Sequence, residues 1–232
     1  MANRKKKRMT KKEKRGLLIT ILALIGLWVV IFGVKKLIDR FGPVRSVHVE
    51  TVSLTAEDGT EMEISEQFIP KNEYSRPGTP LTEVTGVVVH YIGNPGTTAQ
   101  QNHDWFASLA NSGQTYASSH FLIGLDGEII QNIPLDEIAY CSNEANDHTI
   151  SIECCHPDES GVFTDATYDS LVRLTAWLMQ RYSLDAEDVI RHYDVTGKIC
   201  PKAFVEDPAA WERFRADIAA AAAGVRWLMG DQ

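Results

Sequence analysis

Past its first forty residues this chain is short of basic charge. Of its 23 Lys and Arg, 12 fall in residues 1–40 beside only 2 acidic residues, which leaves 11 basic against 29 acidic side chains in residues 41–232. A main part of that sign excludes a nucleic-acid partner, because phosphate contacts need clustered Lys and Arg. Between Gly16 and Val34 charge is absent altogether. No Ala-x-Ala follows Val34, and Lys35 and Lys36 come at once, which argues against a cleaved secretory signal. Internal repeats are absent as well, so repeat architectures are set aside.

What is present at the N-terminus is a basic run, Arg4 to Arg8 and then Lys11, Lys12, Lys14 and Arg15. Alone it suits a nuclear signal or a nucleic-acid arm. The uncharged stretch behind it decides otherwise, since it is long enough to cross a hydrocarbon core of ~30 Å at ~1.5 Å per residue. The expectation is a single-pass, uncleaved membrane anchor over residues 16–34. Residues 1–15 then stay in the cytoplasm and everything after about Arg40 lies outside the cell. Residues 35–80 read as a stalk or connector. Gly42-Pro43 breaks the anchor helix, Val47 to Val52 alternates as a short strand, and prolines 70, 77 and 80 oppose helix. His48 in this stretch is expected to carry no chemistry.

The folded domain is expected over residues 81–223, with 224–232 as a C-terminal tail. Val87 to Ile92 is a continuous apolar run, as in a strand covered on both faces. Thr97 or Thr98 caps a helix to about Ala110, with Trp105, Phe106 and Leu109 inward. Residues 117–125 and 128–133 read as strands joined at Asp126-Gly127. Thr149 to Cys154 is a strand with Ile150 and Ile152 on one face and Ser151 and Glu153 on the other. Thr164 caps a helix to Tyr182, and Asp207-Pro208 opens another to about Ala223. The fold class is α/β: a single central mixed β-sheet covered by helices, preceded by one N-terminal transmembrane helix.

The chemistry gathers at residues 191–201, where His192, Lys198 and Cys200 surround Thr196-Gly197 and Pro201 follows the thiol. His90 ends the apolar strand far upstream. Two imidazoles and one thiol make a three-ligand zinc set with a fourth position free, as catalytic zinc sites have. Each of the three taken alone reads as a structural residue; the reading as metal ligands depends on the set.

Four segments carry a resemblance. They are residues 86–91 (Gly-Val-Val-Val-His-Tyr), 117–123 (Ala-Ser-Ser-His-Phe-Leu-Ile), 146–153 (Asn-Asp-His-Thr-Ile-Ser-Ile-Glu) and 192–201 (His-Tyr-Asp-Val-Thr-Gly-Lys-Ile-Cys-Pro). In this order they resemble the zinc-dependent N-acetylmuramoyl-L-alanine amidases, the type-2 amidase family that shares its fold with T7 lysozyme and the peptidoglycan recognition proteins. The resemblance spans about half the chain and leaves out the anchor and stalk. It implies Zn2+ held by His90, His192 and Cys200, the Cys matching the T7 lysozyme variant where many members have Asp. It implies that Glu153 takes a proton from the attacking water and that Lys198 stabilises the oxyanion. The implied substrate is peptidoglycan, cut at the amide between N-acetylmuramic acid and L-alanine. Some relatives carry a catalytic Tyr where this chain has Ser119, which shifts work to Glu153.

The remaining histidines read more plainly. His120 lines a groove or packs, His103 and His156 lie at the surface, and His148 stands near the Glu153 strand. If Cys200 binds metal, three cysteines remain; Cys141 could pair with Cys154 or Cys155, or all could be buried thiols. The reading is a membrane-anchored amidase facing the cell wall, monomeric by default. Its rivals are a non-catalytic muropeptide receptor of the same fold and a zinc peptidase acting on another bond.

Overall fold

Val87, Val88 and Val89 have no solvent exposure, as expected of β-branched residues in a strand covered on both faces. In this computed structural model they lie near one edge of a seven-stranded sheet. The strands are β1 (Glu50–Thr55), β2 (Glu61–Glu66), β3 (Gly86–Tyr91), β4 (Phe121–Ile123), β5 (Ile129–Gln131), β6 (Thr149–Cys154) and β7 (Val189–Arg191), in the spatial order β1-β2-β5-β4-β6-β3-β7. Strands β4, β6, β3 and β7 run parallel, β1 with β2 and β4 with β5 are antiparallel, and β2 pairs with β5 in parallel. The structure describes residues 49–228, together with residues 11–12, 16–18, 20, 26–28 and 30.

Five helices, α1 (Ala99–Ser112), α2 (Asp165–Tyr182), α3 (His192–Thr196), α4 (Lys202–Glu206) and α5 (Pro208–Gly224), complete the layers. Alternation along the strands sorts the core into two. Val87, Val89, Phe121, Ile123, Ile150 and Ile152 pack with Leu171, Leu174 and Leu178 of α2 and Phe214 and Ile218 of α5. Leu122 and Ile130 join Phe106 and Leu109 of α1 on the opposite face. Each such side chain contributes ~1.5–3 kcal/mol when fully buried. The helices begin where their caps are: Thr98 and Gln101 form a capping box, Thr164 accepts from the Thr167 N–H, and Asp207 accepts from the Ala209 and Ala210 N–H ahead of Pro208.

Several expectations are corrected. The stretch expected as stalk is folded from β1 onward, because β1 and β2 extend the sheet through the β2–β5 pairing. Met62 and Ile64, on alternate residues of β2, supply the apolar face that makes this favourable. Residues 117–120 are not strand; the Ala117 and Ser118 N–H groups donate instead to the Tyr74 and Tyr140 carbonyls, and the His120 carbonyl accepts the Asn132 N–H. The tail is docked: Trp227 is buried, bridges to Ala56, and donates its N–H to Gln180. Trp105, expected inward, is 45% exposed. His103 and His156, expected at the surface, are buried; His103 bonds to Asn132, and His156 to the carbonyls of Ile92 and Asp158. All four cysteines are free thiols.

The chain divides into two compact units, Met1–Ser46 and Val47–Gln232. Among the described residues no helix is long and apolar enough to cross a membrane; most of the expected span 16–34, and His48, lie outside those described.

Two buried polar centres hold the second unit together. Arg76 reaches Glu137 through two bonds, Nε to Oε2 at 2.7 Å and Nη2 to Oε1 at 3.0 Å, and Lys71 adds a contact at 3.1 Å. Arg76, and secondarily Lys71, hold the Glu137 carboxyl below its usual range. Because its loss leaves the largely buried Glu137 only the exposed Lys71 ammonium, Arg76→Ala is expected to cost about 3 kcal/mol in urea unfolding at neutral pH.

His120 is the second centre. Its Nδ1 accepts the Ser151 N–H at 3.0 Å and its Nε2–H donates to the Glu137 carbonyl at 2.9 Å. Burial lowers its pKa from 6.5 to about 4. The unfolded chain therefore binds the proton first as pH falls, so the neutral imidazole's contribution is complete above 6.5 and is lost toward 4. The loss amounts to about 3 kcal/mol. A His120→Gln variant should show a correspondingly flatter stability profile by urea unfolding across that window.

Candidate metal centre and active-site cavity

Parallel strands bring their carboxyl ends to one side of a sheet, where α/β proteins gather their ligands. His90 stands opposite Glu153 in the β3–β6 register, and Glu153 opposite Leu122 in β4–β6. Val89 stands opposite Arg191, so His192, the first residue after β7, comes level with His90. His90 shares a strand face with Val88, not with the flanking core residues Val87 and Val89, which turns it toward the α1 side. The chain then makes the single helical turn of α3, closes at Gly197 with φ 78°, and returns Cys200 beneath His90. The positive φ at Gly197 is what allows this reversal. The Cys200–Pro201 peptide is cis.

His90 Nδ1 and His192 Nδ1 are 3.1 Å apart, and Cys200 Sγ is 3.8 Å from His90 Nδ1. Tetrahedral zinc with bonds of about 2.0–2.1 Å to nitrogen and 2.3 Å to sulfur sets its ligands about 3.3–3.6 Å apart. The two separations lie close to those values and all three donors fall within 4.8 Å of one another, so the set suits a zinc ion. Their outer nitrogens are engaged as such a site requires. His192 Nε2–H donates to Asn143 Oδ1 at 3.0 Å, and His90 Nε2 bonds to Ser142 Oγ at 2.9 Å. This leaves the His192 Nδ1 lone pair aimed at its neighbour, an arrangement that favours a cation between them. Burial, with each other's and Lys198's charge, lowers the pKa of His90 well below its ordinary value; burial and then Lys198 lower that of His192. Both are therefore neutral ligands at pH 7. Burial pushes the Cys200 thiol up to about 12, so its thiolate needs a cation beside it.

Glu153 stands next to this centre. Its Oε1 lies 3.6 Å from Cys141 Sγ, while its shielded Oε2 has no hydrogen-bond partner among the described residues. Desolvation raises its pKa to about 8 against the opposing pull of Lys198 and Cys141. A carboxyl that titrates this close to neutrality can both take up and release a proton there. A second group of donors, His90, Cys141 and Glu153, also falls within 4.8 Å, but there the thiol is already bonded to the carboxylate. The centre opens into a cavity of about 820 Å³ lined by residues including Trp105, Tyr116, Tyr140, Glu153, His192 and Lys198.

The structure thus brings His90, His192 and Cys200 together, with Glu153 and Lys198 on the same cavity. Ser119 is elsewhere: buried, it donates to the Phe121 carbonyl. His120 packs and does not line the cavity, and His148 pairs with Asp147 at the surface. Sequence reasoning missed Ser142 and Asn143. They sit on a short 3₁₀ turn where Asn143 has φ 54°, tied down by Asn146 Oδ1, which accepts the Cys141 and Ser142 N–H groups. Asn is the side chain best suited to that backbone, but a Ser-Asn pair in a loop gives no sequence signal.

Residues 80–203 match the family model described as N-acetylmuramoyl-L-alanine amidase. The chain is 33% identical over 168 residues to N-acetylmuramoyl-L-alanine amidase CwlL of Bacillus licheniformis, covering 66% of this chain and 46% of that protein. To 1,6-anhydro-N-acetylmuramyl-L-alanine amidase AmpD of Escherichia coli K12 it is 33% identical over 130 residues, 52% of this chain and 67% of that one. It spans about half the length of CwlL and of BlyA from Bacillus subtilis. Among solved structures, the catalytic domain of XlyA superposes with TM-score 0.57 at 26% identity, over 68% of this chain and 99% of that one. PlyL does so at 0.60 and 22%, over 69% and 99%.

Proposed function

Because the chain belongs to the N-acetylmuramoyl-L-alanine amidase family, we propose that it hydrolyses the amide between N-acetylmuramic acid and L-alanine in peptidoglycan, by zinc-dependent activation of water, while tethered to the outer face of the cell membrane. The observation that carries this is the facing pair of Nδ1 atoms with Cys200 Sγ beside them, opening on a cavity that also holds Glu153. The ion would be held by Nδ1 of His90, Nδ1 of His192 and Sγ of Cys200. Bound there, zinc supplies a positive centre that acidifies water and polarises a carbonyl.

Glu153 accepts the proton of the attacking water through its free Oε2 and passes it to the departing amine of L-alanine. Lys198 places an ammonium where charge develops on the carbonyl oxygen. Cys141 engages Oε1 and so leaves one carboxylate oxygen, not two, for the proton. Ser142 and Asn143 hold the two imidazole rings in orientation. The tether rests on the uncharged stretch of residues 16–34 behind a basic terminus and would confine cleavage to wall within reach of the membrane.

The test uses the full chain in detergent, loaded with zinc, on purified peptidoglycan. New L-alanine amino termini without new reducing sugar are expected, and chelation should abolish them. A zinc-loaded protein that releases no amino termini would sink the amidase reading.

A further inference from the structure

The family model begins at residue 80, yet the segment ahead of it braces a residue that lines the active-site cavity, Tyr116. The Tyr74 carbonyl accepts the Ala117 N–H at 3.0 Å. The Tyr74 ring packs 5.2 Å from the Tyr116 ring and covers Gly113, where an added Cβ would come within 3.2 Å of it. Glu73 Oε1 accepts the Tyr116 hydroxyl at 2.8 Å. Tyr116 in turn meets Tyr140 edge-on at 5.6 Å. These contacts fix a ring that is nevertheless 54% exposed, and Trp105, 45% exposed, lines the same cavity from α1. Two half-exposed aromatic faces on one cavity, one of them held in place by its neighbours, offer a ligand a stacking surface.

The chemistry of the cavity says which ligand. Formal charge among the lining residues is confined to the reaction centre, at Glu153 and Lys198. Away from it the polar groups are neutral: Asn94, Thr97, Gln101 and Ser118. Neutral amides and hydroxyls suit acetamido and hydroxyl groups, and aromatic faces suit the C–H faces of a pyranose. A peptide stem bearing free carboxylates would find no cation there apart from Lys198.

Given the amidase reading of the centre, we propose that Trp105 and Tyr116 form a subsite for an N-acetylated saccharide ring of the glycan strand, and that Glu73 and Tyr74 position Tyr116 within it. The segment preceding the family-matched region is thus part of the substrate groove and a determinant of glycan affinity.

The test measures binding of a peptide-free probe, tetra-N-acetylchitotetraose, to the full chain in detergent by calorimetry, with KM on peptidoglycan measured in parallel. Saturable binding is expected, weakened about tenfold or more in Tyr116→Ala, since a stacked ring is worth roughly one decade of affinity. Tyr116→Phe keeps the ring and loses only the bond to Glu73; it and Glu73→Ala should each show a smaller loss, with KM raised and kcat little changed. Absence of saturable binding to the unsubstituted chain, or a Tyr116→Ala chain that binds as tightly as the parent, overturns the subsite. A chain that binds the saccharide but releases no amino termini keeps the subsite and removes the amidase reading instead.

Discussion

Glu153→Gln is expected to reduce amide hydrolysis by a factor of about 10²–10⁴, the usual contribution of a positioned proton acceptor. Zinc content should not change if, as proposed, the ion is held by His90, His192 and Cys200. The same substitution should raise the thermal stability of chelator-treated protein. Burial raises the Glu153 pKa from 4.5 to about 8. A buried acid with a raised pKa opposes folding increasingly as pH climbs from 4.5 to 8, since the unfolded chain ionises freely there. Removing the ionisable group removes that cost, so the gain in melting temperature should be absent near pH 4 and largest at pH 8 or above. Thermal scans of the apo variant and parent at both pH values, beside single-turnover rates of the zinc forms, check both halves. A variant with parental turnover, or one with no pH-dependent gain, would contradict this account of Glu153. Activity and stability pull against each other at this residue, as at many functional sites.

The second large effect concerns the thiol. Cys200→Ala should lose stoichiometric zinc and with it all measurable hydrolysis. In the parent, zinc bound as proposed and present at about a thousand times its dissociation constant would contribute about 4 kcal/mol to stability. For a unit of this size that corresponds to roughly 8–16 °C in melting temperature. Chelation should therefore lower the parent's melting temperature by such an amount and leave Cys200→Ala unmoved. Cys200→Asp offers an oxygen ligand of the type zinc accepts and should recover part of both properties. A Cys200→Ala protein that retains one tightly bound zinc would assign the third ligand to Cys141 instead, since Cys141 and Glu153 are within reach of His90.

How much of this could be read from the sequence differs from element to element. The strand at residues 86–91, the caps at Thr98, Thr164 and Asp207, and the facing of Glu153 away from Ile150 and Ile152 follow from local rules that tertiary structure did not override. The meeting of His90 with His192 and Cys200 was legible only through the motif set, because 102 and 110 residues separate the pairs. Residues 50–66 read as connector because Glu, Thr and Ser dominate them; only the alternate pairs Leu54 and Ala56, and Met62 and Ile64, are buried in the core. His103 and His156 read as surface residues because their partners, Asn132 and the Ile92 carbonyl, lie 29 and 64 residues away. Buried histidines satisfied by distant backbone leave no local trace. Trp105 failed in the opposite sense: helical spacing put it inward, but the cavity on that side of α1 leaves it exposed.

The bridge between Ala56 and Trp227 has a mechanical consequence. The Leu228 N–H bonds to the Thr55 carbonyl and the Glu57 N–H to the Arg226 carbonyl, so the first strand and the last described residues clasp each other. Fraying at either end must undo the other. A nick or truncation after Val225 would loosen β1 from the sheet's edge, and a pull on the chain ahead of Glu50 would be shared by α2 through Gln180, whose side chain holds the Ala222 and Val225 carbonyls and the Trp227 N–H. Load applied to the chain ahead of β1 would thereby be passed around the end of the sheet to α2, not borne by the edge strand alone.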